Sequence, residues 1–351
     1  MQNALLTKGK SLEMSKFKEI LKTKKIKVVI LIALLITIGS LFQAGMSYKE
    51  LDLYAPPGKL IDIDGHKMHL YSAGTGSPSV LLTTGSGTPC AYTDYFFIQQ
   101  DLQKTTRTIS YDRPGFGWSE PTDIPRTIDN QVNDLHALLN KAGEKPPYVL
   151  VGHSLASLEV IRFAQVYPDE VAGIVLIDGG NPSFYAQYNE LSALTLNISF
   201  SFIRNTGLAR AFGSLGLFPP IVGQNERYSH LPIEIRRLDK SMFYNTLGNK
   251  YNRIALKNIN ENAKKVIEGG TLGKLPLIIL TAGKDRKWIA SQMELKVWSI
   301  DSKQKFIRNA THSIHWSAPD IVLDSIKELL GVQPAATAGY QGSEATPAQL
   351  V

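Results

Sequence analysis

The segment Tyr148-Val149-Leu150-Val151-Gly152-His153-Ser154-Leu155-Ala156 sets a serine between a run of strand formers and an apolar run suited to a helix. Such a serine sits on a sharp strand-to-helix turn, lifted above a sheet, and the turn needs small residues two before and two after it. Gly152 and Ala156 meet that need. The N–H groups opening the following helix point at any negative charge that develops beside Ser154. A serine hydroxyl is a weak nucleophile until a base takes its proton, so a histidine oriented by a carboxylate should accompany it. Two further strand-like runs supply them. Leu277-Ile278-Ile279-Leu280 leads through Thr281-Ala282-Gly283-Lys284 to Asp285, and Lys305-Phe306-Ile307 leads to His312. Asp178, which ends Ile174-Val175-Leu176-Ile177, is the rival acid, and His315 is the rival base.

The chain order Ser154, Asp285, His312, each past the carboxyl end of a strand, resembles the α/β-hydrolase fold superfamily, of the esterase/lipase-like kind with a helical cap. Tyr111-Asp112-Arg113-Pro114-Gly115-Phe116-Gly117-Trp118-Ser119 is similar to the family's Asp-Arg-x-Gly-x-Gly-x-Ser loop. His312-Ser313-Ile314-His315-Trp316 with Pro319 resembles its histidine loop, and the likeness covers roughly Lys59 to Leu330. The resemblance implies a doubly wound, mostly parallel α/β-hydrolase sheet carrying a helical cap insertion. It makes Ser154 the nucleophile, His312 the general base and acid, and Asp285 the orienting acid, although some relatives place the acid at the position of Asp178. The first oxyanion donor would be the N–H of Leu155. Many relatives carry His-Gly after the third strand; here Thr84-Gly85-Ser86-Gly87 follows it, which puts the second donor at the N–H of Ser86. Gly85 and Gly87 allow close backbone approach, and with Phe184 and Tyr185 they are expected to line the substrate site. Asp112 and Arg113 would brace their loop.

The elements that must position these groups alternate along the chain. A hairpin around Asp64-Gly65 opens the sheet, and strands near Val80, Ile109, Val149, Val175, Ile278 and Phe306 follow, separated by helical patterns. Such alternation argues for a doubly wound sheet. Ile128, Val132, Leu135, Leu138 and Leu139 recur at helical spacing up to Gly143. The sheet rhythm lapses over 180–272, where large apolar residues run from Phe184 to Phe218; this is the expected cap, between core segments 59–179 and 273–331. Residues 332–351 read as a disordered tail.

The charge is unevenly placed. Residues 1–27 carry eight lysines against two glutamates, a net +6 of the chain's +7. The basicity therefore belongs to a tail, and a nucleic-acid-binding domain is not indicated. That tail abuts the apolar stretch 28–46, close to the roughly 20 residues that cross a bilayer. Lysines before it predict a cytoplasmic N-terminus, a single-pass anchor and an extracytoplasmic domain joined by a linker over 47–58. The alternative is a signal peptide and a secreted product, which the long basic region and the absence of a convincing cleavage site disfavour.

Cys90 is the only cysteine, so an intrachain disulfide and a cysteine metal cluster are excluded. Nothing calls for a metal, nucleotide or organic cofactor. The sequence leads to a membrane-anchored carboxylic-ester hydrolase acting on a small-molecule or lipid-like ester. A proline-aminopeptidase-like amide hydrolase, lyase or C–C hydrolase chemistry, and a catalytically silent scaffold acting as a binding module remain as alternatives.

Overall fold

The computed structural model of the protein describes residues 24–217, 224–283 and 285–332. The basic segment 1–23, Phe218 and the expected tail beyond Val332 lie outside the described residues.

The chain opens with α1 (Lys24–Leu53), the one described helix long and apolar enough to cross a membrane. It runs on past Met46, through half of the stretch expected to be a linker. A short connection leads to the hairpin β1 (Lys59–Asp62) and β2 (Lys67–Ala73), in which Asp62 pairs with Lys67. Then come β3 (Ser79–Thr83), α2 (Ala91–Asp94), α3 (Phe96–Leu102), β4 (Thr108–Tyr111), α4 (Ile128–Ala142), β5 (Tyr148–His153), α5 (Ala156–Val166) and β6 (Val171–Ile177). Seven helices fill the described part of the next interval: α6 (Pro182–Tyr185), α7 (Glu190–Asn205), α8 (Leu208–Ser214), α9 (Gln224–Ser229), α10 (Ile233–Thr246), α11 (Lys250–Lys257) and α12 (Ile259–Glu268). The sheet resumes with β7 (Leu277–Ala282), followed by α13 (Arg286–Met293), β8 (Ser302–Ile307), α14 (Ile314–Ser317) and α15 (Pro319–Leu329).

Among the described residues the sheet has eight strands in the order β1-β2-β4-β3-β5-β6-β7-β8. β2 runs antiparallel to β1 and β4, and the strands from β4 onward are parallel. Burial on both faces explains the unbroken apolar runs of the central strands. Along β5, Leu150 joins the core beneath α4 and α5, while Val149 and Val151 join the opposite core beneath α3 and α15. α4 starts at Thr127, whose side chain accepts from Asn130 N, and ends where Gly143 takes the left-handed conformation at φ 80°. This frame fixes the carboxyl ends of β3, β5, β6, β7 and β8 along one edge, with the cap helices above it.

Candidate active site

Ser154 follows the last residue of β5 at φ 54°, a left-handed conformation that strains a side-chain-bearing residue. The surroundings enforce it. Ser154 N donates to Ile177 O at 3.1 Å, and α5 begins two residues on. A Cβ on Gly152 would come within 2.9 Å of Val160 Cγ2 and 3.1 Å of Ala156 O, so the turn closes only over glycine. The Ser154 side chain shares a hydrogen bond with the Tyr185 hydroxyl; burial makes that hydroxyl less acidic and outweighs the opposite pull of the bond.

His312 lies on the loop after β8, its side chain about half exposed. Its Nδ1 donates to Asp178 Oδ2 at 2.6 Å. Asp178 is the first residue beyond β6, turned by a φ of 43° and almost fully buried. Its carboxylate accepts from Ala282 N at 2.9 Å, Gln292 Nε2 at 2.9 Å and Trp288 Nε1 at 3.1 Å as well as from His312. These donors from three sides fix its direction.

Asp285, expected to hold His312, stands elsewhere. Its exposed carboxylate accepts from Trp288 N at 2.9 Å and caps α13. It lines the rim of the same cavity, but the group on His312 Nδ1 is Asp178, the rival acid. The strand order gives the reason: β6 is next to β5, whereas β7 is two strands away. The signal available in sequence was Asp178-Gly179-Gly180, an acid at a strand end before two residues that permit a tight reversal.

The loop after β3 passes close to the nucleophile, since a Cβ on Gly85 would lie 3.2 Å from Ser154 Cβ. Ser86 Oγ donates to Asn252 Oδ1 of α11 at 2.9 Å, a tie to the cap that sequence gave no means to find. Arg113 Nη1 donates to Thr84 O at 2.7 Å, and Arg113 is itself paired with buried Glu159 at 2.6 Å. Asp112 accepts from Ala91 N at 2.7 Å and from His69 Nδ1 at 2.8 Å, so both residues brace the loop. Leu155 is the N-cap of α5, and Ser157 N and Leu158 N turn back onto Ser154 O at 3.1 Å and Leu155 O at 3.2 Å, which leaves Leu155 N and Ala156 N as the N–H groups at the very opening of the helix.

His153 is buried, with Nε2 donating to His312 O at 3.1 Å. Burial first, then the neighbouring His315 and His312, pushes its pKa well below the usual histidine value, so the ring stays neutral. His315 is fully buried 3.4 Å from Asp94 Oδ2 and does not reach the cavity.

That cavity has a volume of about 880 Å³. It gathers Ser154, Leu155, His312, Asp178, Asp285, Ser86, Gly85 and Gly87 at its floor and rim, and Phe184 and Tyr185 on its cap side. Leu196, Phe200, Phe243, Leu247 and Leu256 make the cap wall largely apolar. The arrangement offers a hydroxyl on a strained turn, an imidazole held by a carboxylate, and a helix opening beside them, parts of the kind that acyl transfer uses.

The family model of the alpha/beta hydrolase fold matches residues 78–319. The chain is 27% identical over 301 residues to the uncharacterized protein YbdG of Bacillus subtilis, covering 84% of this chain and 90% of that one. Among solved structures it is similar to the Cif epoxide hydrolase of Acinetobacter nosocomialis, with a TM-score of 0.63 and 16% identity over 83% of this chain and 96% of that one. A thermophilic esterase of Thermogutta terrifontis gives a TM-score of 0.56 and 20% identity over 78% and 96%. At such identities the solved structures show the fold.

Proposed function

The chain belongs to the α/β-hydrolase fold family, and from that premise we propose that it is a membrane-anchored serine hydrolase cleaving a carboxylic ester through an acyl-enzyme. The observation that carries the reading is the 2.6 Å bond from His312 Nδ1 to Asp178, across the cavity floor from the strained turn of Ser154. With Nδ1–H given to Asp178, the lone pair of His312 is on Nε2, where a base must have it.

Ser154 turns from Tyr185 towards His312, passes its proton to Nε2, and Oγ attacks the carbonyl carbon. The N–H groups of Leu155 and Ser86 receive the oxyanion; losing one such donor costs about 3 kcal/mol of transition-state stabilisation. Asp178 stabilises the imidazolium. His312 then hands the proton to the departing alkoxide, and water, activated by the same base, releases the acid. The apolar cap wall favours an acyl chain over a charged substrate. The lysine-rich segment before the apolar stretch 28–46 supports a cytoplasmic N-terminus with the catalytic domain beyond the membrane.

The test is labelling of the full chain in detergent micelles with a fluorophosphonate, wild type beside Ser154→Ala. Label on the wild type alone, with ester turnover falling by about 10³-fold or more in the variant, is expected. Equal labelling of both, or a well-folded wild type that neither labels nor turns over any ester, overturns the reading.

A further inference from the structure

We propose that the outer face of α7 and α8 lies in the bilayer beside α1, and that the substrate is an acyl lipid entering the cavity from the membrane. This rests on the anchored-hydrolase reading above and names its substrate source.

The face is uncharged. Between residues 191 and 225 the only charged side chains are Arg204 and Arg210. Both fold back onto the protein: half-buried Arg204 donates to Asn245 O at 3.4 Å and to Asn205 Oδ1 at 3.1 Å, and Arg210 pairs with Glu50 at 2.6 Å and donates to Gln43 Oε1 at 2.8 Å. What remains outside is largely apolar, with Leu191, Ile198 and Phe202 on α7 exposed by 74%, 54% and 55%, and Leu215 beyond α8 by 71%, beside the small polar side chains Ser192, Asn205 and Ser214. The hydroxyls of Thr195 and Ser199 are satisfied within the helix. Thr195 donates to Leu191 O at 2.8 Å and Ser199 to Thr195 O at 3.0 Å, as Thr37 does to Ala33 O on α1. Internal satisfaction of polar groups is what hydrocarbon surroundings require.

The depth of the face follows from α1. Residues 28–38 are exposed all round. At 1.5 Å per residue these eleven span about 16 Å, half of a roughly 30 Å hydrocarbon core. The rest of the apolar run therefore crosses alongside the cap. Gly39, at the start of that stretch, packs on Thr206 and Gly207 between α7 and α8: a Cβ there would come 2.2 Å from Thr206 O. The α7–α8 junction is thus held at hydrocarbon depth. Leu196 is both half exposed and part of the cavity wall, so the cavity reaches the surface beside this face.

Single-cysteine variants of the full chain, Ile32→Cys, Phe202→Cys and Asp64→Cys, labelled with an environment-sensitive fluorophore in phosphatidylcholine nanodiscs, test the placement; native Cys90 is buried. Doxyl-lipid quenching at 32 and 202, with none at the exposed Asp64 position, is expected. Quenching at 32 without 202 overturns the docked face while leaving the anchor standing, and so does a label at 202 shielded only by a second copy. Quenching at neither removes the anchor and the inference together. The kinetic arm uses Ile198→Glu, outside the cavity: ester turnover should fall about tenfold on vesicle-borne diacylglycerol and stay unchanged on soluble p-nitrophenyl butyrate. Equal loss on both substrates, or on neither, overturns lipid entry.

Discussion

At the scale of single residues the two aspartates give the sharpest division. Asp178→Asn leaves the shape but not the charge that keeps His312 in its working tautomer, so kcat should fall by about 10⁴-fold with folding intact. Asp285→Ala removes only a cap from α13, so about 1 kcal/mol of stability should go and kcat should stay within about threefold. Steady-state kinetics and urea unfolding on both variants separate these outcomes. Ser154 and His312 were legible because each stands in a patterned segment. Asp178 against Asp285 was not, since both end strands and only the lateral order of β5, β6 and β7 decides which meets His312.

Two buried histidines also set the response to pH, with opposite signs. His153 is held neutral, its pKa well below 6.5 chiefly through burial. The unfolded chain therefore binds a proton there that the fold refuses, and stability falls as pH drops below about 6.5, by about 1.4 kcal/mol per unit until the folded group titrates. For His69 burial lowers the pKa, but the Asp112 carboxylate outweighs it and the net shift is upward. Its contribution is full below about 6.5 and is lost as pH rises through the folded value. Urea midpoints from pH 7.5 to 5 should flatten in His153→Gln and steepen in His69→Gln.

At the scale of elements the cap is bound to the machinery it covers. α9 inserts Arg227 between core and cap, donating to Asp94 Oδ1 at 2.9 Å and to Thr93 Oγ1 at 2.8 Å, and pairing with Asp239 of α10. Its guanidinium also stacks 4.8 Å from the Trp316 ring, and Glu226 beside it accepts from Thr311 Oγ1, the neighbour of His312. Arg227→Met strands two buried carboxylates and should cost about 3 to 5 kcal/mol in urea unfolding. Arg227→Lys should recover only part, because an ammonium cannot bridge three acceptors in one plane. Glu226→Ala, on the exposed side of the same helix, should stay within about 0.5 kcal/mol. The core strands and α4 were readable because their periodicity reports burial on two faces or one. The cap appeared in sequence only as a lapse in that rhythm, since its contacts are long-range pairs such as Arg227 with Asp94 and Asn252 with Ser86, which leave no local pattern.

At the scale of the whole molecule the question is how the long apolar helix α1 and the sheet domain with its cap are joined, and the answer is a seam rather than a tether. Sequence marked 28–46 by hydropathy and 47–58 by its lack of pattern, and missed that one stripe of α1 continues past the apolar run. Along that stripe Gln43 donates to Tyr244 O at 2.9 Å, Ser47 to Asn245 Oδ1 at 2.7 Å, and Glu50 takes both Arg210 and Asn245. The apolar end of the seam depends on a side chain that is missing: Gly39 lies so close to Thr206 O that any larger residue meets backbone, which cannot yield cheaply. Gly39→Leu should therefore pry α1 from the cap while keeping, or raising, its affinity for the bilayer, as added apolar area must. The expected result in nanodiscs is full membrane retention with the melting temperature lowered by several degrees, because Arg210 then stands partly unpaired. Glu50→Ala should lower it by a similar amount through the same arginine, and the double variant should fall short of the sum, since both break one interface. Strict additivity would mean that the glycine contact and the Arg210 cluster act independently, and α1 would then be a flexible leash with two unrelated attachments.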